Sequence, residues 1–287
     1  MKSITTSEKA AMIRAMEMMF LKNERLYDDQ YSIKFITAFN RFFLKIMKPK
    51  CIRNWMVNFM DKTGPGVYGG IISRTKYMDD ALETAIANKF DAIVNLGGGY
   101  DTKCLRFDMK GLEYYHVDQK SVITNYEKIM SGLQCGIPSY VRFVPIDFDT
   151  QRLEDELVKA GYSKDNRTLF LWEGVTQYIT IEAVIGTLEF IASCSKGSQV
   201  TFTYVIKSVL TSPINFPEYS KMLKLGKRIG EEWITGFEPN NISEFLKEHG
   251  LKLIEDVGDI EYRERYFKPI GREISIMPIE RMAFAEV

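Results

Sequence analysis

Four short stretches of this sequence carry residue types suited to recognising a nucleoside. The first is Val94-Asn-Leu-Gly-Gly-Gly-Tyr-Asp-Thr102, an apolar run, three glycines and then polar residues fit to open a helix. Glycine permits a sharp strand-to-helix turn and lets a ligand come close to the backbone, while Asp101 or Thr102 can cap the following helix. Any tight βα turn could use the same residues. The second is Val117-Asp118, with Asp118 lying 21 residues after Gly97. An acid near that separation accepts hydrogen bonds from ribose hydroxyls, a task that suits a group offering only acceptors. It can equally cap the next helix. The third is Pro145-Ile-Asp147-Phe148. Here an acid can accept from an exocyclic adenine amine while the next residue packs on the ring, although Asp147, Asp149 and Thr150 also make a good solvated turn. The fourth, Leu171-Trp-Glu173-Gly174, puts an acid at a strand's carboxyl end, where open α/β sheets bind ligands. Four such features at consecutive strand ends are far less expected by chance than any one.

A dinucleotide site prefers a third glycine, G-x-G-x-x-G, so that a helix N-terminus can receive the pyrophosphate. The position three after Gly99 is Thr102. A nucleoside without a pyrophosphate does not need that glycine, which favours S-adenosylmethionine over NAD.

These residues need strands to carry them. Ala92–Leu96, Leu112–Val117, Tyr140–Ile146, Thr168–Trp172 and Gln199–Ile206 read as five strands, separated by helix-length segments near 101–108, 119–132, 150–160 and 181–194. That alternation predicts βαβ units, right-handed crossovers and a doubly wound, mostly parallel sheet. Leu251–Val257 and Glu273–Met277 read as two closing strands, for seven in all, preceded by a helix over 242–249 with Gly250 as its C′ residue. The first 60 residues read as helical, with Ser7 as an N-cap and a second pattern from Ile33 to Ile46. Another helix is expected over 76–89. The stretch 207–240, rich in Pro and Gly, reads as a helical insertion above the sheet. The expected organisation is one domain over 1–287: a helical cap over 1–75, a cofactor-binding core over 76–206, a lid insertion over 207–240 and a closing part over 241–287.

Composition narrows the function. The 287 residues carry 38 Lys+Arg against 38 Asp+Glu, a balance that argues against a nucleic-acid partner. The basic run from Lys45 to Arg53 reads as a solvated helix face. Cys51, Cys104, Cys135 and Cys194 form no C-x-x-C pair, so neither a zinc site nor a disulfide framework is expected. No apolar h-region opens the chain and no run approaches a membrane span. A cytoplasmic protein without metal, nucleic-acid or membrane partners is the expectation, and the oligomeric state is open.

The motifs resemble those of the leucine carboxyl methyltransferase-like family, which includes tetracenomycin-type polyketide O-methyltransferases. The resemblance rests on Ser73-Arg-Thr-Lys-Tyr-Met-Asp-Asp80, Leu96-Gly-Gly-Gly-Tyr-Asp-Thr-Lys103, His116-Val-Asp118, Pro145-Ile-Asp147 and Glu173-Gly-Val-Thr-Gln-Tyr178. It implies a Rossmann-like class I methyltransferase fold that binds S-adenosyl-L-methionine. It further implies that Arg74 meets the methionine carboxylate, Gly97 and Gly99 pass under the methionine moiety, Asp118 holds the ribose, Asp147 and Phe148 bind adenine, and Glu173 faces the methionine end. Lys103, where the family usually has Arg, and Gln177, where it usually has an apolar residue, depart from its pattern.

Methyl transfer from a sulfonium is an in-line displacement, in which positioning does most of the work. A carboxylate acceptor is already ionised, whereas a hydroxyl is helped by a base. Of the two histidines, His116 reads as structural and His249 as sitting at a helix C-terminus. The expected reaction is O-methylation of a small molecule, a carboxylate slightly ahead of a hydroxyl, with Tyr178 and Tyr204 as candidates for the acceptor pocket. Protein C-terminal carboxyl methylation, an NAD-dependent oxidoreductase and a non-catalytic nucleoside-binding module are the competing readings.

Overall fold

The computed structural model describes residues 6–109 and 111–287. Its centre is a seven-stranded sheet: β1 (Ala92–Leu96), β2 (Glu113–Asp118), β3 (Val141–Pro145), β4 (Thr168–Trp172), β5 (Gln199–Val205), β6 (Lys252–Val257) and β7 (Glu280–Glu286). The spatial order is β3-β2-β1-β4-β5-β7-β6, with β7 antiparallel to both neighbours and the other pairings parallel. Every residue of β1 and β4 is buried. Strands covered on both faces have no reason to alternate, which is why Ala-Ile-Val-Asn-Leu and Thr-Leu-Phe-Leu-Trp are near-continuously apolar.

The chain runs outward from β1 through β2 to β3, then returns to β4 on β1's other side. The order therefore reverses between β1 and β4, opening a crevice above their carboxyl ends. Gly97 follows β1 and Glu173 follows β4, so both lie at that crevice.

Twelve helices surround the sheet among the described residues. α1 (Thr6–Glu17), α2 (Ala38–Ile46), α3 (Lys50–Thr63) and α4 (Val67–Ala87) precede it. Between strands run α5 (Lys103–Arg106), α6 (Lys120–Ser131), α7 (Leu153–Lys159) and α8 (Ile181–Ala192). α9 (Lys207–Thr211) and α10 (Ser220–Arg228) form the insertion after β5. α11 (Ile242–Glu248) and α12 (Asp259–Tyr262) flank β6. The insertion is clasped at its base, where Phe237 N–H donates to Val205 and Lys207 N–H donates to Phe237. Thr37 and Thr180 cap α2 and α8 through their hydroxyls.

Three boundaries differ from the sequence reading. The last strand is Glu280–Glu286, not Glu273–Met277. The latter run is extended without joining the sheet, and Met277 N–H donates instead to Gly66. Ala, Met, Glu and Arg give β7 weak strand propensity, yet pairing with both β5 and β6 imposes the conformation. α4 starts at Val67, so the division expected at 75/76 falls inside a helix. The helix expected over 101–108 is only Lys103–Arg106.

Candidate cofactor site

Above β1 and β4 lies a cavity of about 70 Å3, lined from below by Asn95, Gly97–Asp101, Glu173, Gly174 and Arg74 and from above by the first turns of α1. The glycine turn forms its floor. Gly97 and Gly99 have φ of 61° and 52°, the left-handed region that penalises a side chain. A Cβ on Gly97 would lie 2.2 Å from Val175 Cγ2, and one on Gly98 would lie 2.5 Å from the His116 ring. Packing beneath the loop thus requires Gly97 and Gly98, and its shape requires Gly97 and Gly99.

Asp118 braces this turn. One carboxylate oxygen accepts from Gly99 N–H and the other from Gln119 N–H, both at 2.6 Å. Burial raises its pKa against the pull of those two amides. His116 lies under the turn, fully buried and stacked on Tyr126 at 4.3 Å between ring centroids. Its Nε2–H is assigned as donor to the Gly99 carbonyl at 3.2 Å, and its Nδ1 is buried without a partner. Burial lowers its pKa to about 4, so the ring is neutral at physiological pH.

The other wall is ionic. Arg74 Nε donates to Glu173 at 2.9 Å and Nη1 to Glu280 at 2.6 Å, with Nη2 beside Gly174. Lys103 is 1% exposed; its ammonium reaches Asp101 at 2.6 Å and Glu173 at 3.6 Å. Burial opposes the charge on Glu173, but Lys103 and Arg74 outweigh it and hold the carboxyl below its ordinary range. Asp101 is likewise held below its ordinary range, burial being overcome by Lys103, Arg14 and Arg106. Arg106 makes a bidentate pair with Asp79 behind this layer.

α1 supplies the roof. Arg14 is buried, pairs with Asp29 at 3.3 Å and donates to the Tyr100 carbonyl in the glycine turn. At the helix start, Thr6 N–H and Lys9 both reach Glu231 beyond α10.

The structure thus gathers Arg74, Gly97, Gly99 and Glu173 around one cavity and ties Asp118 to it through the Gly99 amide. Asp147 is exposed on the turn after β3, where it accepts from Asp149 N–H. Phe148 stacks on Trp172 at 6.3 Å and lines a separate surface groove between α7 and α8. Tyr178 is half-buried, hydrogen-bonded with Trp233 and within the field of Arg74. Tyr204 is a core residue: fully buried, packed on Phe202 and Phe237, with its hydroxyl donating to Asp256. Arg14, Ser7, Asn95 and Asp101 also line the cavity, and the sequence reading assigned none of them to cofactor binding. Arg14 left a signal, a lone cation between Ile13 and Ala15 in an apolar stretch.

The donor set fits S-adenosylmethionine. A positive-φ glycine floor allows close approach, Arg74 is a cation for a carboxylate, and the acid at the end of β2 is an acceptor for hydroxyls. A strand order reversing at β1/β4, an antiparallel β7 and such a floor together define an S-adenosylmethionine-dependent methyltransferase of the class I fold. The family model described as "Leucine carboxyl methyltransferase" matches residues 7–192, and the chain belongs to that family. YktD of Bacillus subtilis (strain 168), provisionally named an S-adenosyl-L-methionine-dependent methyltransferase, is 24% identical over 86% of this chain and 81% of its own. FRAAL3718 of Frankia alni, with the same provisional name, is 26% identical over 71% of this chain and 70% of its own. Among solved structures, a methyltransferase, provisionally so titled, from Thermobifida fusca superposes with a TM-score of 0.56 at 13% identity, covering 82% of this chain and 88% of that one. A DUF574 family protein from Streptomyces avermitilis does so with 0.54 at 12%, covering 82% and 90%. At such identities these two establish the fold alone.

Proposed function

We propose that this methyltransferase esterifies a carboxylate of a small molecule. The observation that carries the reading is the protonation chemistry of the cavity. Its two lining acids, Asp101 and Glu173, are both held below the ordinary carboxyl range by cations, which makes them weak bases. His116 is neutral but sealed beneath the glycine turn, and His249 stands at the end of α11 beside Glu189. Burial pushes the Tyr178 phenol up, which leaves it a donor and not a base. Asp118, whose pKa burial raises, has both oxygens engaged by the Gly99 and Gln119 amides, so among the described residues around the cavity no free group is suited to take a proton from a hydroxyl. An acceptor that arrives ionised needs none, and a carboxylate does so at neutral pH. The family's description, which names a carboxyl group, agrees with this choice.

When bound, the cofactor supplies an electrophilic methyl on a sulfonium. The chain's residues do the rest. Arg74 and the glycine floor would hold the amino-acid end, Asp118 would hold the ribose, and the first turn of α1 would cover the site from above. Near-attack geometry in a dry site accounts for most of the rate in such a displacement.

The test is methyl transfer from isotope-labelled cofactor to matched sets of carboxylic acids, alcohols and phenols. Carboxyl products release methanol in mild alkali, whereas ethers do not. An alkali-labile product, with kcat/KM flat between pH 6 and pH 8, is the expected result. An alkali-stable product, or a rate rising with pH as a phenol ionises, would overturn the carboxylate reading and leave the methyltransferase assignment intact.

A further inference from the structure

Neutral overall charge hides a local asymmetry. Between Ala38 and Lys62 the chain carries six basic residues against one acid, Asp61. Asp61 is engaged with the Gly66 amide, while Arg41, Lys45, Lys48 and Lys50 are exposed. This segment is α2 and α3, joined only by Met47-Lys48-Pro49.

Both helices are apolar on two faces. In α2, Phe43 and Leu44 pack into the core, while Phe39, Phe42 and Ile46 form a stripe at i, i+3 and i+7 that is open to solvent. In α3, Met56, Val57 and Met60 pack inward, and Ile52, Trp55 and Phe59 repeat the same open stripe. Phe39 is 76% exposed and Trp55 60%. Trp55 and Phe59 stack on each other at 5.8 Å. α10 adds a third element of the same kind, with Lys221, Lys224, Lys227 and Arg228 around exposed Leu225 and Ile229, and with no acid between Tyr219 and Gly230. Met222 and Leu223 of α10 pack in the same cluster as Val67, which opens α4 four residues after α3 ends, and this sets the two elements near each other.

We propose that α2, α3 and α10 dock the protein on an anionic lipid bilayer. The open stripes enter the headgroup–acyl boundary, and the flanking lysines and arginines meet anionic headgroups. Trp and Phe on one face with Lys and Arg beside them are the composition of a helix lying in the membrane interface, and the charges match a negative surface. Lys50 and Arg53 pair with Glu24, and Lys227 with Glu232; a second copy is disfavoured, because a two-fold interface would set the exposed charges of Arg41, Lys45 and Lys48 against themselves. A single-stranded nucleic acid is disfavoured too: Ile46 and Ile52 stack no base, so neither stripe is a continuous stacking platform. The inference does not depend on which acceptor is methylated.

Vesicle flotation of the full chain tests it, using phosphatidylcholine vesicles with or without roughly one-third phosphatidylserine, at low salt and at half-molar salt. The expected result is binding to the anionic vesicles, at least tenfold weaker without phosphatidylserine or at high salt. Lys45→Gln with Lys48→Gln should weaken it about 30-fold, at roughly fivefold per charge, and Trp55→Ser with Phe59→Ser should weaken it as well. All four side chains are exposed, so melting temperature and S-adenosylhomocysteine affinity should match wild type in both variants. Four outcomes would overturn the proposal: no flotation with anionic vesicles, unchanged flotation of the variants, a dimer in solution that Trp55→Ser abolishes, or tighter binding to a single-stranded oligonucleotide than to the vesicles.

Discussion

Replacing His116 with Phe should flatten the acid limb of the protein's stability curve. The His116 ring is fully buried, its Nδ1 has no partner, and burial lowers its pKa from 6.5 to about 4. The unfolded chain therefore binds a proton that the folded chain refuses, in the window between those two values. Stability is lost as pH falls through that window and kept above it. Between pH 7 and pH 5 the linkage removes about 2 kcal/mol through this one residue. Phe preserves the ring and its stacking on Tyr126, and it forfeits the Nε2–H···O bond to Gly99 at every pH. The variant thus starts less stable at pH 7, by about 1 kcal/mol, but has no proton to exclude. Urea unfolding of both proteins at pH 7 and pH 5, followed by tryptophan fluorescence, gives the double difference directly, and every other titrating group cancels in it. A difference near 2 kcal/mol is expected. Parallel loss of stability in the two proteins would refute a buried neutral imidazole under the glycine turn.

Three further substitutions probe the site. Asp118→Asn should weaken S-adenosylhomocysteine binding about tenfold to 100-fold by calorimetry, since an amide neither accepts as well from ribose nor braces the Gly99 amide with a charge. Gly97→Ala should destabilise the fold by about 1–3 kcal/mol in denaturant and abolish detectable cofactor binding, because its φ is positive and its Cβ would strike Val175. Arg74→Met strands Glu280 and leaves Glu173 with Lys103 alone in a buried site, and should cost about 3–5 kcal/mol; part of that loss should return below pH 5, where a stranded carboxyl can protonate, and a loss independent of pH would point to packing alone.

Much of the fold was legible because it is local. β1 and β4 are the continuous apolar runs Ala92–Leu96 and Thr168–Trp172 that sequence marks, and Gly97 and Gly99 stand at positive φ as a strand–turn–helix demands. Missed features depend on distant partners. β7 is a strand because β5 and β6 impose one, while the β-branched Ile274 and Ile276 just before it looked the better candidates. The roof of the cavity was missed for the same reason: nothing in the periodicity of α1 says that it will lie over a turn some 90 residues away, although the |i−j| of 86 between Arg14 and Tyr100 is bridged by a direct hydrogen bond. Tyr204, a pocket candidate from sequence, lies in the core instead, on a strand buried on both faces from Val200 to Val205.

That roof has a consequence for turnover. The cavity of about 70 Å3 is far below the roughly 300 Å3 of even a small ligand pocket. Cofactor binding is therefore expected to displace the first turn of α1, parting Thr6 and Lys9 from Glu231, while the rest of the helix, with Ala11, Ile13 and Met16 in the core, stays anchored. What must yield is one helical turn hinged on a packed helix, not a separate lid.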